Sequence, residues 1–142
     1  MPNRHSAIYG PSGPDKTEVV KYLLDEDLMA HTESWVIDLD AKGVDGWYGR
    51  ASWVVTDLVW ARIMLDTTED IDFAVTITIE GADQVLADES CRGLVEQAMS
   101  LEHVSVRLIV PDLTHRSFGG SAVIRAEIDR GSSYATALAV AS

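Results

Sequence analysis

The sequence has one cysteine, few basic residues and no long hydrophobic run. Cys91 is the single cysteine among 142 residues, so no disulfide can form within the chain, and a reducing, cytoplasmic setting is the simplest prediction. A membrane-crossing helix needs roughly 20 apolar residues, and no run approaches that length. The N-terminus also lacks the apolar stretch of a secretory signal. We therefore expect a cytoplasmic protein without a membrane segment.

Basic residues are outnumbered by acidic ones. The chain has 11 Lys and Arg against 23 Asp and Glu, which gives a formal net charge of −12. Because neutralisation of phosphates drives most nucleic-acid binding, this charge opposes DNA or RNA as a partner, except at a few basic residues inside an assembly. The four histidines show no spacing typical of a metal site.

The chain nevertheless has the material for a core. Hydrophobic residues make up 46%, enough for one domain spanning residues 1–142. Five apolar stretches, of which the middle three are dominated by β-branched and aromatic residues, are predicted as strands: Ser6–Tyr9, Trp35–Leu39, Phe73–Ile79, Val104–Val110 and Tyr134–Val140. Helical spacing predicts helices between them: Thr17–Leu28, Asp57–Leu65 with Thr56 as N-cap, Glu89–Leu101 and Ser121–Ile128. This alternation favours an α/β fold with a mainly parallel sheet and helices on both faces.

A near-match to a phosphate-binding loop lies between the first strand and the first helix. Residues 10–17 read Gly-Pro-Ser-Gly-Pro-Asp-Lys-Thr, against the pattern G-x-x-x-x-G-K-[ST]. In such a loop, backbone N–H groups surround the phosphates, the lysine adds a positive charge and the hydroxyl binds Mg²⁺. The alternative is a plain strand–turn–helix corner with Gly10 and Gly13 as turn residues.

Asp15 stands where the pattern requires its second glycine. An aspartate brings a Cβ and a negative charge to the place that a phosphate would approach. At about 4 Å and an effective dielectric of about 20, two like charges repel by roughly 4 kcal/mol. If unrelieved, this repulsion lowers affinity on the order of 1000-fold. Pro14 removes one further N–H from the loop.

Five segments, taken in order, resemble the motor domain of the FtsK/SpoIIIE family of DNA-pumping ATPases. They correspond to its first strand with the phosphate loop, its second strand, the opening of its next helix, its Walker B stretch and its fourth strand: His5–Thr17, Trp35–Gly43, Val54–Leu58, Thr76–Leu86 and Val104–Val110. The resemblance implies a three-layer, RecA-like P-loop NTPase fold with a five-stranded, mainly parallel sheet in the order 5-1-4-3-2. The phosphate loop would then lie at the carboxyl end of a central strand, where open α/β sheets bind ligands.

The resemblance also implies ATP and Mg²⁺ as cofactors, with weak binding. The residues expected to bind nucleotide are Gly10, Gly13, Lys16 and Thr17, and Thr17 would also hold the metal ion. Glu80 falls on the catalytic glutamate position, with a solvated strand-end acid as the alternative. Asp83 matches a later family aspartate, with a helix cap or surface acid as the alternative.

Two more positions depart from the family pattern. Ile79 occupies the position of the metal-binding aspartate, and Pro111 occupies that of the sensor glutamine. Hydrolysis needs carboxylates that hold the Mg²⁺ shell and orient water, so these departures predict a degenerate site. Three charged residues close the second strand, either as part of the site or as a solvated loop: Asp38, Asp40 and Lys42.

Our hypothesis from the sequence is a degenerate P-loop domain. It would serve as a weak or non-hydrolysing nucleotide-binding module, or as a protein-interaction module, in a DNA-transfer, secretion or phage/plasmid system. The alternative is an active ATP-hydrolysing DNA translocase subunit that works in a ring. A protein partner or a homo-oligomer is expected in either case.

Aromatic residues and one loop complete the expectations. Trp60 is predicted to pack in the core, whereas Trp47 and Trp53 flank a glycine-rich loop and are predicted to be exposed. The segment from Arg116 to Gly120 is predicted to form a mobile loop, with a contact to a neighbouring subunit as the alternative.

Overall fold

The six strands found in the described part of the chain belong to a single parallel sheet. A computed structural model describes residues 5–10, 14–39, 44–130 and 132–135. The strands are β1 (Ser6–Tyr9), β2 (Glu33–Asp38), β3 (Trp53–Val55), β4 (Val75–Glu80), β5 (Val104–Val110) and β6 (Ser132–Ala135). Their spatial order is β3-β2-β4-β5-β1-β6, and every pairing is parallel.

Helices connect the strands, as parallel pairing requires. They are α1 (Pro14–Met29), α2 (Val44–Trp47), α3 (Leu58–Thr67), α4 (Ala82–Ala87), α5 (Glu89–Met99) and α6 (Ala122–Arg130), with 3-10 helices at Thr68–Asp70 and His115–Phe118. Pro14 begins α1, where its missing N–H costs no helical hydrogen bond. The carboxylates of Asp57 and Asp88 cap α3 and α5 by accepting from the backbone N–H groups of Trp60 and Cys91.

The predicted fold class is confirmed, with one strand added. The five predicted strands are found in the predicted order, and β3 extends the sheet at its edge beside β2. A prediction of five strands was therefore wrong by one, since Trp53–Val55 is too short to stand out beside the helix that follows. The last strand begins earlier than predicted, and the N-cap of α3 is Asp57 rather than Thr56.

The two faces of the sheet pack against different helices. On one face, Ile8, Val36 and Ile109 pack with α1 residues Val20 and Leu24. On the other face, the alternate strand residues form the larger apolar cluster together with buried residues of α3, α4, α5 and α6. Since side chains alternate along a strand, this arrangement follows from the strand sequences themselves.

Three tryptophan predictions and one loop prediction need correction. Trp47 is completely buried, because α2 lies against α1 and the sheet, whereas Trp60 is 52% exposed on α3. Trp53 is half-buried with its ring 4.9 Å from that of Trp35 in a T-shaped contact. The predicted mobile loop contains the 3-10 helix His115–Phe118, which Phe118 anchors in the core.

Candidate functional site

The carboxyl ends of the central strands bring the predicted site residues to one edge of the sheet. α1 follows β1 and carries Lys16 in its first turn. Asp38 and Glu80 end β2 and β4 and lie side by side in the strand register. The N–H of Gly10 donates to the carbonyl of Pro111 at 3.1 Å, which joins the segment after β1 to the segment after β5.

Lys16 links the end of β1 to the start of α1. Its Nζ donates to the carbonyl oxygen of Gly10 at 3.0 Å, and the side chain is only 8% exposed. Gly10 has φ of 140°, a conformation that favours glycine because it has no Cβ. An ammonium has three donors, so this bond leaves others directed elsewhere. The contact holds the charged end of Lys16 next to Gly10, directly after β1.

The surroundings of Lys16 suit an anion. Burial lowers the pKa of its ammonium, and this effect exceeds the opposite influence of Glu80 and Asp83, whose carboxylates raise the pKa. The charged form is therefore less favourable in the folded chain than in water. A phosphate next to Lys16 would stabilise that charge.

Of the two positions at the end of β4 where the family pattern has acidic residues, position 80 is an acid and position 79 is not. Ile79 is fully buried in the larger apolar cluster, so the predicted metal-binding position supplies no oxygen ligand. Glu80 is half-buried at the strand end, and its charge acts on Lys16. Gly81 turns the chain in the left-handed conformation, with φ of 61°, and Asp83 follows in the first turn of α4. The structure thus brings Glu80 and Asp83 together with Lys16.

Asp38 has a structural partner that the sequence did not reveal. Its carboxylate is 1% exposed and accepts a hydrogen bond from Nε1 of Trp47 at 2.8 Å. This contact fixes α2 beneath the end of β2. No local pattern connects an aspartate with a tryptophan nine positions later, so only the fold could reveal the pair. Asp40 and Lys42 lie outside the described residues.

Arg50, which follows α2, forms a hydrogen-bonded ion pair with α1. Its Nε donates to Oδ1 of Asp25 at 3.0 Å, and its Nη1 donates to the carbonyl of Gly46 at 2.8 Å. Gly46 lies so close to Lys21 that a Cβ there would require the lysine side chain to move. Gly46 and Arg50 therefore lie close to α1, the helix that carries Lys16.

The segment after β5 is ordered by Asp112. Its carboxylate accepts from the N–H of Thr114 at 3.0 Å and from the hydroxyl of Ser117 at 2.8 Å. Hydrogen bonds from Thr114 and Ser117 lower the pKa of Asp112. Pro111 itself is exposed and offers only its backbone carbonyl, which is bonded to Gly10. The sensor position therefore has no side-chain hydrogen-bonding group.

Comparison with known proteins gives a structural match but no sequence match. No family model and no curated protein matches the sequence. Among solved structures, the chain is similar to the pCW3 conjugation coupling protein TcpA in its monomer form with ATPγS, with a TM-score of 0.70 and 12% identity. The match covers 89% of this chain and 47% of that protein, so the chain spans about half its length.

The fold is RecA-like and P-loop NTPase-like. At 12% identity, the likeness extends to the fold alone. The predicted resemblance to the FtsK/SpoIIIE family is therefore supported at the level of a remote, P-loop NTPase-like architecture.

The residues at the edge fit a phosphate group better than a magnesium ion. Lys16 and the backbone N–H groups at the start of α1 provide positive partners for phosphate. Thr17 is half-buried beside Lys16 and would offer its hydroxyl to Mg²⁺, while position 79 gives no ligand. Asp15 precedes Lys16 in the first turn of α1. Gly13 lies outside the described residues.

Two findings concern other classes of site. Across the described ranges, no three or more His, Cys, Asp or Glu residues are grouped closely enough to hold a metal ion. Within the same part of the chain, the helices are all too short or too polar to span a membrane.

Proposed function

We propose that this chain is a degenerate P-loop NTPase-fold domain that binds nucleotide weakly, without hydrolysing it, and acts through protein contacts in a DNA-transfer, secretion or phage/plasmid system. One observation carries the proposal. Ile79, at the end of β4, is buried in the core, whereas Lys16 lies in the first turn of α1, where a phosphate would bind. The element that would bind phosphate is retained, and the carboxylate that would hold the metal shell is missing.

The charges at the edge support weak binding. A nucleotide would gain from the ammonium of Lys16, whose contact with Gly10 holds it in place. It would also meet the charges of Asp15, Glu80 and Asp83 in the same region. Each unrelieved repulsion of a few kcal/mol lowers affinity by on the order of 100-fold or more. We therefore expect a dissociation constant for Mg-ATP of about 0.1 mM or weaker.

The setting in DNA transfer is drawn from the structural neighbour. TcpA is a conjugation coupling protein whose structure was determined with ATPγS. Our chain, with a net charge of −12, offers little to a phosphate backbone by itself, so nucleic-acid contacts are proposed only within an assembly. Protein contacts, either with other copies or with a partner, are the expected mode of action.

Calorimetric titration with Mg-ATP tests the proposal directly. We expect weak, saturable binding that Lys16→Ala abolishes and Asp15→Gly tightens, because the first change removes the positive charge and the second removes a negative one. Lys21→Ala is the matched control, since Lys21 lies on the same helix in an exposed ion pair with Glu18. Binding that is equal in Lys16→Ala and Lys21→Ala would contradict the assignment of the site.

An active DNA translocase subunit is the second candidate, because Glu80 remains beside Lys16 at the position of a catalytic base. This candidate requires ATP turnover that rises with DNA and is lost in Glu80→Gln. Our proposal instead expects phosphate release at the level of buffer alone, with and without DNA. Turnover that depends on Glu80 would replace the first proposal with the second.

A further inference from the structure

A compact apolar surface lies on α3, on the side of the sheet opposite α1. It consists of Val59, Trp60 and Ile63, which are 58%, 52% and 42% exposed, and we call it the α3 surface. The buried side of α3 packs in the core through Ala61, Met64 and Leu65, and this packing fixes the orientation of the helix. The carboxylate of Asp57 accepts from the N–H of Trp60 at 2.8 Å, so the first turn that carries the tryptophan is capped.

The spacing of these residues produces a ridge. Val59 and Ile63 are one helical turn apart, and Trp60 and Ile63 are three positions apart, so all three lie on one side of α3. A ridge of this kind packs into the groove between side-chain rows of another helix. Tryptophan is also one of the residues in which binding hot spots are enriched.

Other exposed apolar residues of the described chain do not form such a group. Val123 is alone on α6, and Tyr22 on α1 is hydrogen-bonded to Glu26. Leu28 and Met29 are sequence neighbours in the last turn of α1, whereas Tyr48 and Phe73 lie in separate segments between helices and strands. Single exposed apolar residues are normal on protein surfaces, whereas a group of three is not explained by chance exposure.

Acidic residues stand at both ends of the ridge. Between Trp53 and Asp72 the sequence has five acids and one base. The acids are Asp57 at the start of α3 and Asp66, Glu69, Asp70 and Asp72 at its end, all of them exposed. The base, Arg62, lies near Asp88 and lowers the pKa of that carboxyl group after the larger effect of the hydrogen bonds from Cys91. With five acids and one base, the segment that carries the ridge has a formal net charge of −4.

We propose that the α3 surface binds a cationic amphipathic helix of a partner protein. The apolar face of such a helix would cover Val59, Trp60 and Ile63, and its Lys or Arg residues would meet the acids at either end. A second copy of this chain would bring the same negative field to the interface and be repelled. Anionic lipid and nucleic acid are disfavoured by the same charge. Binding here does not depend on a nucleotide at Lys16, since α1 lies across the sheet.

A designed peptide provides the probe. We would titrate the ¹⁵N-labelled chain with a synthetic helical peptide of leucine and lysine heptads, and with a scrambled peptide of identical composition that has no apolar face. Amide shifts should be confined to α3 and the residues around it, and only the ordered peptide should bind well. Trp60→Ser should weaken binding about ten-fold or more. Val123→Ser, which removes an equally exposed apolar residue on α6, should leave it unchanged.

The charge component is tested separately. The double variant Asp66→Asn/Asp70→Asn should bind the peptide several-fold more weakly and show a smaller loss of affinity when salt is raised. Thermal unfolding of each variant, followed by circular dichroism, verifies that the fold is intact. Equal binding of the ordered and scrambled peptides, or unchanged affinity in Trp60→Ser, would overturn the proposal. So would self-association that Trp60→Ser abolishes, or binding of this surface to anionic vesicles or duplex DNA.

Discussion

The two faces of the sheet are built from the same strands and differ in chemistry. Facing the α3–α6 side, alternate residues of β2, β4 and β5 are apolar: Trp35, Ile37, Val75, Ile77, Ile79, Val104, Val106 and Leu108. Facing α1, the intervening residues include buried or half-buried polar side chains: Ser34, Asp38, Thr76, Thr78, Glu80, Ser105 and Arg107. The α1 face therefore combines apolar packing with polar and charged groups, whereas the opposite face is mainly apolar.

On the α1 face, an ion pair is present in addition to the apolar cluster of Ile8, Val36 and Ile109. Nη1 of Arg107 lies 3.1 Å from Oδ2 of Asp27 on α1 and also donates to the hydroxyl of Thr78 at 3.1 Å. The hydroxyl of Ser34 donates to the same carboxylate at 3.0 Å. The cluster therefore ties α1 to β2, β4 and β5 at once. These bonds hold the last turn of α1 against the sheet, at the end of the helix opposite to Lys16.

The largest effect is expected where that ion pair is broken on one side. Arg107→Met should lower the free energy of unfolding by about 3 kcal/mol, because the carboxylate of Asp27 stays largely buried without its guanidinium. The double variant Asp27→Leu/Arg107→Met should recover most of the loss, since no charge then remains to be desolvated. Urea unfolding of wild type, both single variants and the double variant measures the coupling.

An apolar variant completes this experiment. Ile77→Ala on the opposite face should cost a similar amount, about 2–5 kcal/mol, because it leaves a cavity. For Ile77→Ala we expect no second substitution that restores stability in the way that Asp27→Leu does for Arg107→Met. If the losses of the two single variants simply added in the double variant, Asp27 and Arg107 would not be coupled, and the two faces would not differ in the way described.

The second prediction concerns the contact between Gly119, in the segment after β5, and α4 on the apolar side of the sheet. Gly119 has φ of 64°, and a Cβ there would overlap the carbonyl of Leu86 and touch Cδ of Arg92 at 3.0 Å. Gly119→Ala should therefore cost about 2–3 kcal/mol, from the left-handed backbone and the overlap together. Gly120 is the matched control, because its φ of 74° is similar and its surroundings are open.

For the control, Gly120→Ala should cost about 1 kcal/mol, the backbone component alone. Thermal unfolding of the two variants gives the difference. Equal losses would mean that Gly119 is needed only for its conformation, and that the contact between α4 and the segment after β5 can give way without cost.

Much of the fold was predictable because its main signals are local. The bounds of β1 and β5 agree with the prediction to the residue, since a turn residue, Gly10 or Pro111, directly follows each apolar stretch. β3 was missed because three residues are too few to show a period. Trp60 was placed in the core because α3 has more apolar residues than its buried face can accommodate, and periodicity alone cannot say which of them remain outside.

The site was predictable only where it depends on a sequence motif. The loop pattern led to Lys16, and the order of segments led to Glu80, which the structure brings near it. The partners that fix these residues were not predictable, because they come from distant parts of the chain. Arg107 and Asp27 are 80 positions apart, and nothing in either local sequence indicates the other. Long-range ion pairs of this kind depend on the assembled sheet rather than on any local propensity.

The smallest effect is expected at Cys91, the buried thiol of the apolar side. Burial, followed by its hydrogen bond to Asp88, raises the pKa of the Cys91 thiol from 9.0 to about 12. A folded-state pKa above the unfolded value means that the folded chain retains its proton longer, so stability falls as pH rises from about 9 toward about 12 and is unaffected below that window. Cys91→Ala should therefore lose less stability than wild type between neutral and alkaline pH, although the two differ little at neutral pH. Thiol labelling of the native chain should be slow in buffer and fast in urea; rapid labelling without urea would show that the apolar side opens readily and is no firmer than the polar one.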